Sequence, residues 1–154
     1  VVYWGCITWE SENHRGGFRV VEFSVGSVAR RERLITEQDI AAFAELSGDY
    51  SPIHMDEEYA KNTRFKGRIA HGMMTAGFIS AVLGTELPGE GTIYLSQTLN
   101  FLAPVRIGDT VVVEVEVIEL DTVKRRARLK TTGRTEQAGM VVEGEAYVMY
   151  PKRG

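Results

Sequence analysis

From Gly72 to Thr85 the chain runs for fourteen residues without a charged side chain, and no other feature constrains the fold as much. Met73, Met74, Ala76, Phe78, Ile79, Val82 and Leu83 spread apolar groups around nearly the whole circumference of a helix. A helix that is apolar all round is expected to be buried all round. The run is shorter than the roughly 20 residues a membrane span needs, so protein has to cover it. Leu87-Pro88-Gly89-Glu90-Gly91 ends it.

The cover follows in the sequence. Residues 92–102 carry Ile93, Leu95, Leu99 and Phe101 at alternate positions, and residues 110–120 carry Val111, Val113, Val115 and Val117 opposite Glu114 and Glu116. Residues 123–132 place Arg126, Arg128 and Lys130 on one face, within reach of those glutamates across a hairpin turned near Asp121-Thr122. Residues 141–150 supply a last strand, and residues 18–25 an edge strand early in the chain. One buried helix followed by an antiparallel meander is an α+β arrangement in which a sheet wraps a helix.

Thr36 has the chemistry of a helix N-cap, with Asp39 completing a capping box and Ile35 and Ile40 a hydrophobic staple. Ile40, Phe43, Ala44 and Leu46 form the apolar stripe of that helix, and Gly48 suits its left-handed end. Pro52 prevents the helix from resuming, which places Asp49 and His54 on a rigid non-helical excursion. Asp56 caps one further turn through Tyr59 and Ala60. A basic loop with Lys61, Arg64, Lys66 and Arg68 comes next.

The 154 residues fit a single domain over 18–154, preceded by an N-terminal extension, 1–17, that lacks the basic start and apolar core of a signal peptide. The net charge of −3 argues against nucleic-acid binding through bulk electrostatics. Cys6 stands alone and cannot form an intramolecular disulfide, which points to a reducing compartment, the cytoplasm.

Asp49 and His54 pair a carboxylate with an imidazole just ahead of Ala70-His71-Gly72, where the apolar helix opens. Such a pair can take a proton from water and return one elsewhere. The first N–H groups of the helix have no intrahelical partner and can receive a developing oxyanion. Together these parts suit hydration or dehydration beside a thioester carbonyl. Plainer roles exist for each residue: turn chemistry for Asp49, a surface imidazole for His54, a structural hydrogen bond for His71, core filling for Met73. The spacing of Asp49, His54 and Asp56 matches no strong metal pattern, and hydration chemistry needs no metal or other cofactor. The basic loop, by default a solvated surface, lies where the phosphates of coenzyme A would fit.

Phe43-Ala44-x-Leu46-Ser47-Gly48-Asp49-x-x-Pro52-x-His54 and Ile69-Ala70-His71-Gly72-Met73 resemble the signature of the MaoC-like, (R)-specific enoyl-CoA hydratase family. Gly91-Thr92-Ile93-Tyr94-Leu95-Ser96-Gln97 and Phe101-x-x-Pro104-Val105-x-x-Gly108-Asp109 resemble its strand after the central helix. The resemblance implies a hot-dog fold, an antiparallel sheet wrapped around a long central helix, in a homodimer. It implies that Asp49 and His54 hold the catalytic water and that the Gly72 N–H polarises the thioester carbonyl. Ser51, His71 and Met73 then belong to the substrate site, and Ser80, Leu83 and Tyr147 to the acyl pocket, where an inward Tyr147 favours a short chain. The implied reaction is syn addition of water to trans-2-enoyl-CoA, giving (R)-3-hydroxyacyl-CoA, as in hydratases that feed polyhydroxyalkanoate synthesis. One departure is Ser51, where the family usually carries Asn. The rival readings are a 3-hydroxyacyl-ACP dehydratase acting on the same acyl groups, a hot-dog acyl-CoA thioesterase and a non-catalytic acyl-CoA-binding protein. Against the thioesterase, the apolar helix carries no Asp or Glu.

Overall fold

The computed structural model describes residues 22–152. The elements are β1 (Val28–Leu34), α1 (Glu37–Ser47), α2 (Pro52–Met55), α3 (Glu57–Ala60), α4 (Gly72–Thr85), β2 (Ile93–Gln97), β3 (Asn100–Phe101), β4 (Thr110–Asp121), β5 (Arg126–Thr135) and β6 (Gly139–Met149). The six strands form one antiparallel sheet in the order β1-β4-β5-β6-β2, with β3 also paired to β6. The valine alternation of β4 makes its core: Val111, Val113, Val115 and Val117 are fully buried, and Ile79, Val82 and Leu83 of α4 join them in one cluster. This is the hot-dog arrangement.

Cross-strand charge pairing follows the register. Glu116 lies opposite Lys130, and Arg128 meets Glu119 at 3.5 Å, while Glu114 is taken by Arg30 on β1.

At the start of α1, the Thr36 hydroxyl accepts from the Asp39 N–H at 3.2 Å, and the Asp39 carboxylate accepts from the Thr36 N–H at 2.9 Å. Burial alone would raise the Asp39 pKa, but the hydrogen bonds from Thr36 and Arg33 hold it below the ordinary 3.8. The ionised box therefore stabilises the fold above that value, and the contribution is lost as pH falls through the lowered one. Thr36→Ala should cost about 1 kcal/mol in urea unfolding at neutral pH.

The structure corrects five of the sequence expectations. The edge strand begins at Val28, because Gly26 at φ +90° and the Ser24–Ser27 turn break extended pairing; the first residues of the expected strand and the 1–17 extension lie outside the described residues. Leu46 is 86% exposed. Six residues beyond Ile40, it has turned about 240° round the helix, away from the buried stripe. Pro52 does not end helical structure: it occupies the first position of α2, where its missing N–H costs nothing, and His54 is helical.

Residues 92–102 are two strands, with a register shift between Tyr94 and Ser96. Ahead of the shift Tyr94 faces inward, where burial pushes its hydroxyl up to about 12, and Ile93 and Leu95 are exposed; Phe101, on β3, is half exposed. Finally, α4 is buried on one side only. Met73, Gly77 and Ser80, spaced for one helix face, remain exposed in the single chain.

Gly144 on β6 permits the closest approach in the sheet. A Cβ there would sit 1.8 Å from the Thr98 carbonyl oxygen, between β2 and β3. Gly144→Ala should therefore force those strands apart and lower the melting temperature by at least the equivalent of about 1–3 kcal/mol. It would also displace Phe101, which β3 carries over the start of α4.

Candidate active site

Three local structures bring the site together. Gly48 at φ +77° ends α1 and turns the chain, and the Asp49 carboxylate accepts the Ser51 N–H at 3.1 Å. That Asx turn leads into α2, which carries His54. The third is the start of α4, with His71 as its N-cap and Gly72 as its first residue. The Ser51 side chain caps nothing, so the turn rests on the Asp49 carboxylate and tolerates serine at position 51.

One ligand atom each from Asp49, His54 and His71 lies within 4.8 Å of the others. His54 Nδ1 donates to the Ile69 carbonyl at 2.8 Å, and since a carbonyl only accepts, Nε2 carries the free lone pair. His71 is buried, flanked by Phe43 at 4.8 Å and by the His54 ring at 3.9 Å, and its Nε2 donates to the Asp49 carbonyl oxygen at 2.9 Å. Carboxylate plus two imidazoles is a donor set that suits zinc. One nitrogen of each imidazole is already committed to a backbone carbonyl, Ile69 for His54 and Asp49 for His71.

These groups line a cavity of about 490 Å³ with Gly72, Met73, Thr75, Phe101 and Val142. Its size is that of a small-molecule site. Gly72 has no Cβ to obstruct its N–H: one there would meet the Phe101 ring at 2.9 Å. As the first helical residue it has no intrahelical acceptor.

The basic loop divides. Arg68 is structural, donating to the His54 carbonyl at 2.6 Å and pairing with Glu37, and Lys61 pairs with Glu58. Arg64 lies over the Phe65 ring at 4.7 Å, and both line the cavity.

Asp49, His54, His71 and Gly72 lie within the segment that matches a family model, the MaoC like domain, over residues 24–140. The chain belongs to the MaoC-like family. This MaoC-like chain is 54% identical over 129 residues to the (R)-specific enoyl-CoA hydratase of Rhodospirillum rubrum, covering 84% of this chain and 89% of that one. It is 52% identical over 136 residues to the 3-hydroxybutyryl-CoA dehydratase of Methylorubrum extorquens, covering 88% and 85%. Among solved structures, the (R)-hydratase from A. caviae involved in PHA biosynthesis matches with a TM-score of 0.81 at 43% identity, covering 84% of this chain and 98% of that one.

Of the residues expected in the site of this MaoC-like protein, Asp49, His54, His71, Gly72 and Met73 line the cavity. Ser51, Ser80, Leu83 and Tyr147 are not brought to it. Leu83 is 1% exposed in the core, because the strongest apolar side of α4 faces the sheet. Ser80 is on the opposite, exposed side of that helix. Tyr147 is partly exposed on β6, with Arg126 at 6.0 Å from its ring, so it does not limit the length of this cavity. Phe101, Thr75 and the Ile69 carbonyl were not legible in advance. A backbone acceptor has no signature in sequence, and Phe101 reaches Gly72 only through the β3–β6 pairing.

Proposed function

We propose that the protein is an (R)-specific enoyl-CoA hydratase, a hydro-lyase that adds water syn to trans-2-enoyl-CoA and gives (R)-3-hydroxyacyl-CoA, reversibly. The observation that carries this is the convergence of the Asp49 carboxylate, His54 and the unobstructed first residue of α4 on one cavity. Water held between the Asp49 carboxylate and the His54 Nε2 lone pair has an acceptor for each of its hydrogens. One O–H bond breaks as oxygen bonds to C3, and the electron pair moves to the thioester oxygen, which rests on the Gly72 N–H. The enolate then collapses as a proton from the Asp49–His54 pair reaches C2 on the same face, making the addition syn. Water oxygen and one proton end on C3, and the second proton on C2. The only cofactor this chemistry requires is the coenzyme A carried by the substrate.

Crotonyl-CoA is the test substrate. Its enoyl-thioester absorbance should fall, with (R)-3-hydroxybutyryl-CoA as the product and no free thiol. Thiol release would mean a thioesterase, and tight binding without turnover a non-catalytic binder. Arg64, at the cavity wall, is suited to meet the coenzyme A phosphates. Arg64→Ala should raise KM for enoyl-CoA by about tenfold, the size of one charge-assisted hydrogen bond, with kcat nearly unchanged. An equal KM for an acyl-carrier-protein substrate in wild type would favour the dehydratase reading of the same chemistry.

A homodimer accounts for the face of α4 left open in one chain: Met73, Gly77 and Ser80 are exposed, uncharged and mostly small. A second copy is the cover that such an apolar helix needs. Sedimentation should give twice the chain mass. Among the described residues no helix is long and apolar enough to cross a membrane, and a substrate held on coenzyme A suits the cytoplasm.

A further inference from the structure

His71 and Thr75 stand one turn apart at the start of α4, both 2% exposed and both at the cavity wall. Each has one buried polar atom without a partner, Nδ1 of His71 and Oγ1 of Thr75. Buried polar atoms are seldom left so, because an unmade hydrogen bond costs the desolvation of the group. A helical threonine usually donates to the carbonyl four residues earlier. Thr85, on the last turn of the same helix, does so to Ala81 at 2.7 Å, but Thr75 does not.

The other ring nitrogen of His71 is committed. Nε2 donates to the Asp49 carbonyl oxygen, so the neutral ring presents a lone pair on Nδ1. A hydroxyl one turn along the same face is the donor that this lone pair lacks. The two atoms do not bond each other directly, and a water suits two such partners.

We propose that one buried water joins the Thr75 hydroxyl to His71 Nδ1 and so anchors the His71 ring whose Nε2–H holds the Asp49 carbonyl. Thr75 and His71 are then positioning residues for the loop that carries the catalytic carboxylate. Without that water Nδ1 is buried unpaired, and a ring that turns to pair it draws Nε2 away from the Asp49 carbonyl and releases the loop. The His54 ring, stacked on His71, would shift with it.

The kinetic arm of the test rests on the hydratase reading; the spectroscopic arm does not. Nitrogen-15 NMR of the imidazoles should show His71 of the wild type with its hydrogen on Nε2. Thr75→Val, which keeps the shape and removes the hydroxyl, should move the His71 Nδ1 resonance and lower kcat by up to about tenfold with KM little changed. Thr75→Ser should recover both. His71→Gln, which keeps a donor near the Nε2 position, should turn over faster than His71→Leu; if neither folds, the Thr75 variants decide. A wild-type His71 with its hydrogen on Nδ1 would overturn the proposal. So would a Thr75→Val protein with unchanged imidazole shifts, or one that loses only thermal stability and keeps its kcat.

Discussion

Asp49→Asn should lower the rate of crotonyl-CoA hydration by about 10²–10⁴, the usual contribution of a positioned acid–base group, with the melting temperature nearly unchanged. The substitution isolates the chemistry because asparagine keeps the oxygen that accepts the Ser51 N–H. The turn, the entry to α2 and the position of His54 are therefore retained. What is lost is the charge and basicity needed to take a proton from water. Asp49→Ala also removes the Asx turn, so it should cost both rate and loop order. Asparagine turning over at the wild-type rate would take the carboxylate out of the mechanism and leave His54 as the sole base.

Substitution at Gly72 tests the other half of the site. His71 has φ −63° and ψ 128°, the extended geometry that a following proline demands, and Gly72 is the first residue of α4, where proline is well tolerated. Gly72→Pro should thus preserve the helix while deleting one N–H. Both Gly72→Pro and Gly72→Ala add a Cβ that meets the Phe101 ring at 2.9 Å, and that ring is half exposed and free to move. Alanine measures the cost of that Cβ alone. The ratio of the two kcat values measures the loss of the donor together with the proline Cδ that takes its place, and should be at least about 10²–10³, the effect of removing one oxyanion-hole hydrogen bond. Equal rates would assign carbonyl activation to another group.

Legibility from sequence followed the range of the interaction. The Thr36–Asp39 box, the Gly48 cap and the Asp56-capped turn were readable because each is a contact within a few residues. The β4 valines were readable because strand period fixes which face is buried once a core exists. Helix α2 was misread because proline was taken as a stop, when it equally starts a helix. The Tyr94 bulge was missed because a register shift reverses facing without changing composition.

The sequence by itself determined the class of fold, the family and the candidate acid–base pair, since these follow from local periodicity and from a motif confined to short stretches of chain. Only the tertiary structure decided which expected residues share a cavity. It placed Leu83 in the core and left Ser80 on an open helix face. It also set the Ile69 and Asp49 carbonyls against the two imidazoles and brought Phe101 from a distant strand onto Gly72. The physical reason is that these contacts join residues 15 or more positions apart, some through backbone atoms that every residue carries, so only the folded geometry selects them.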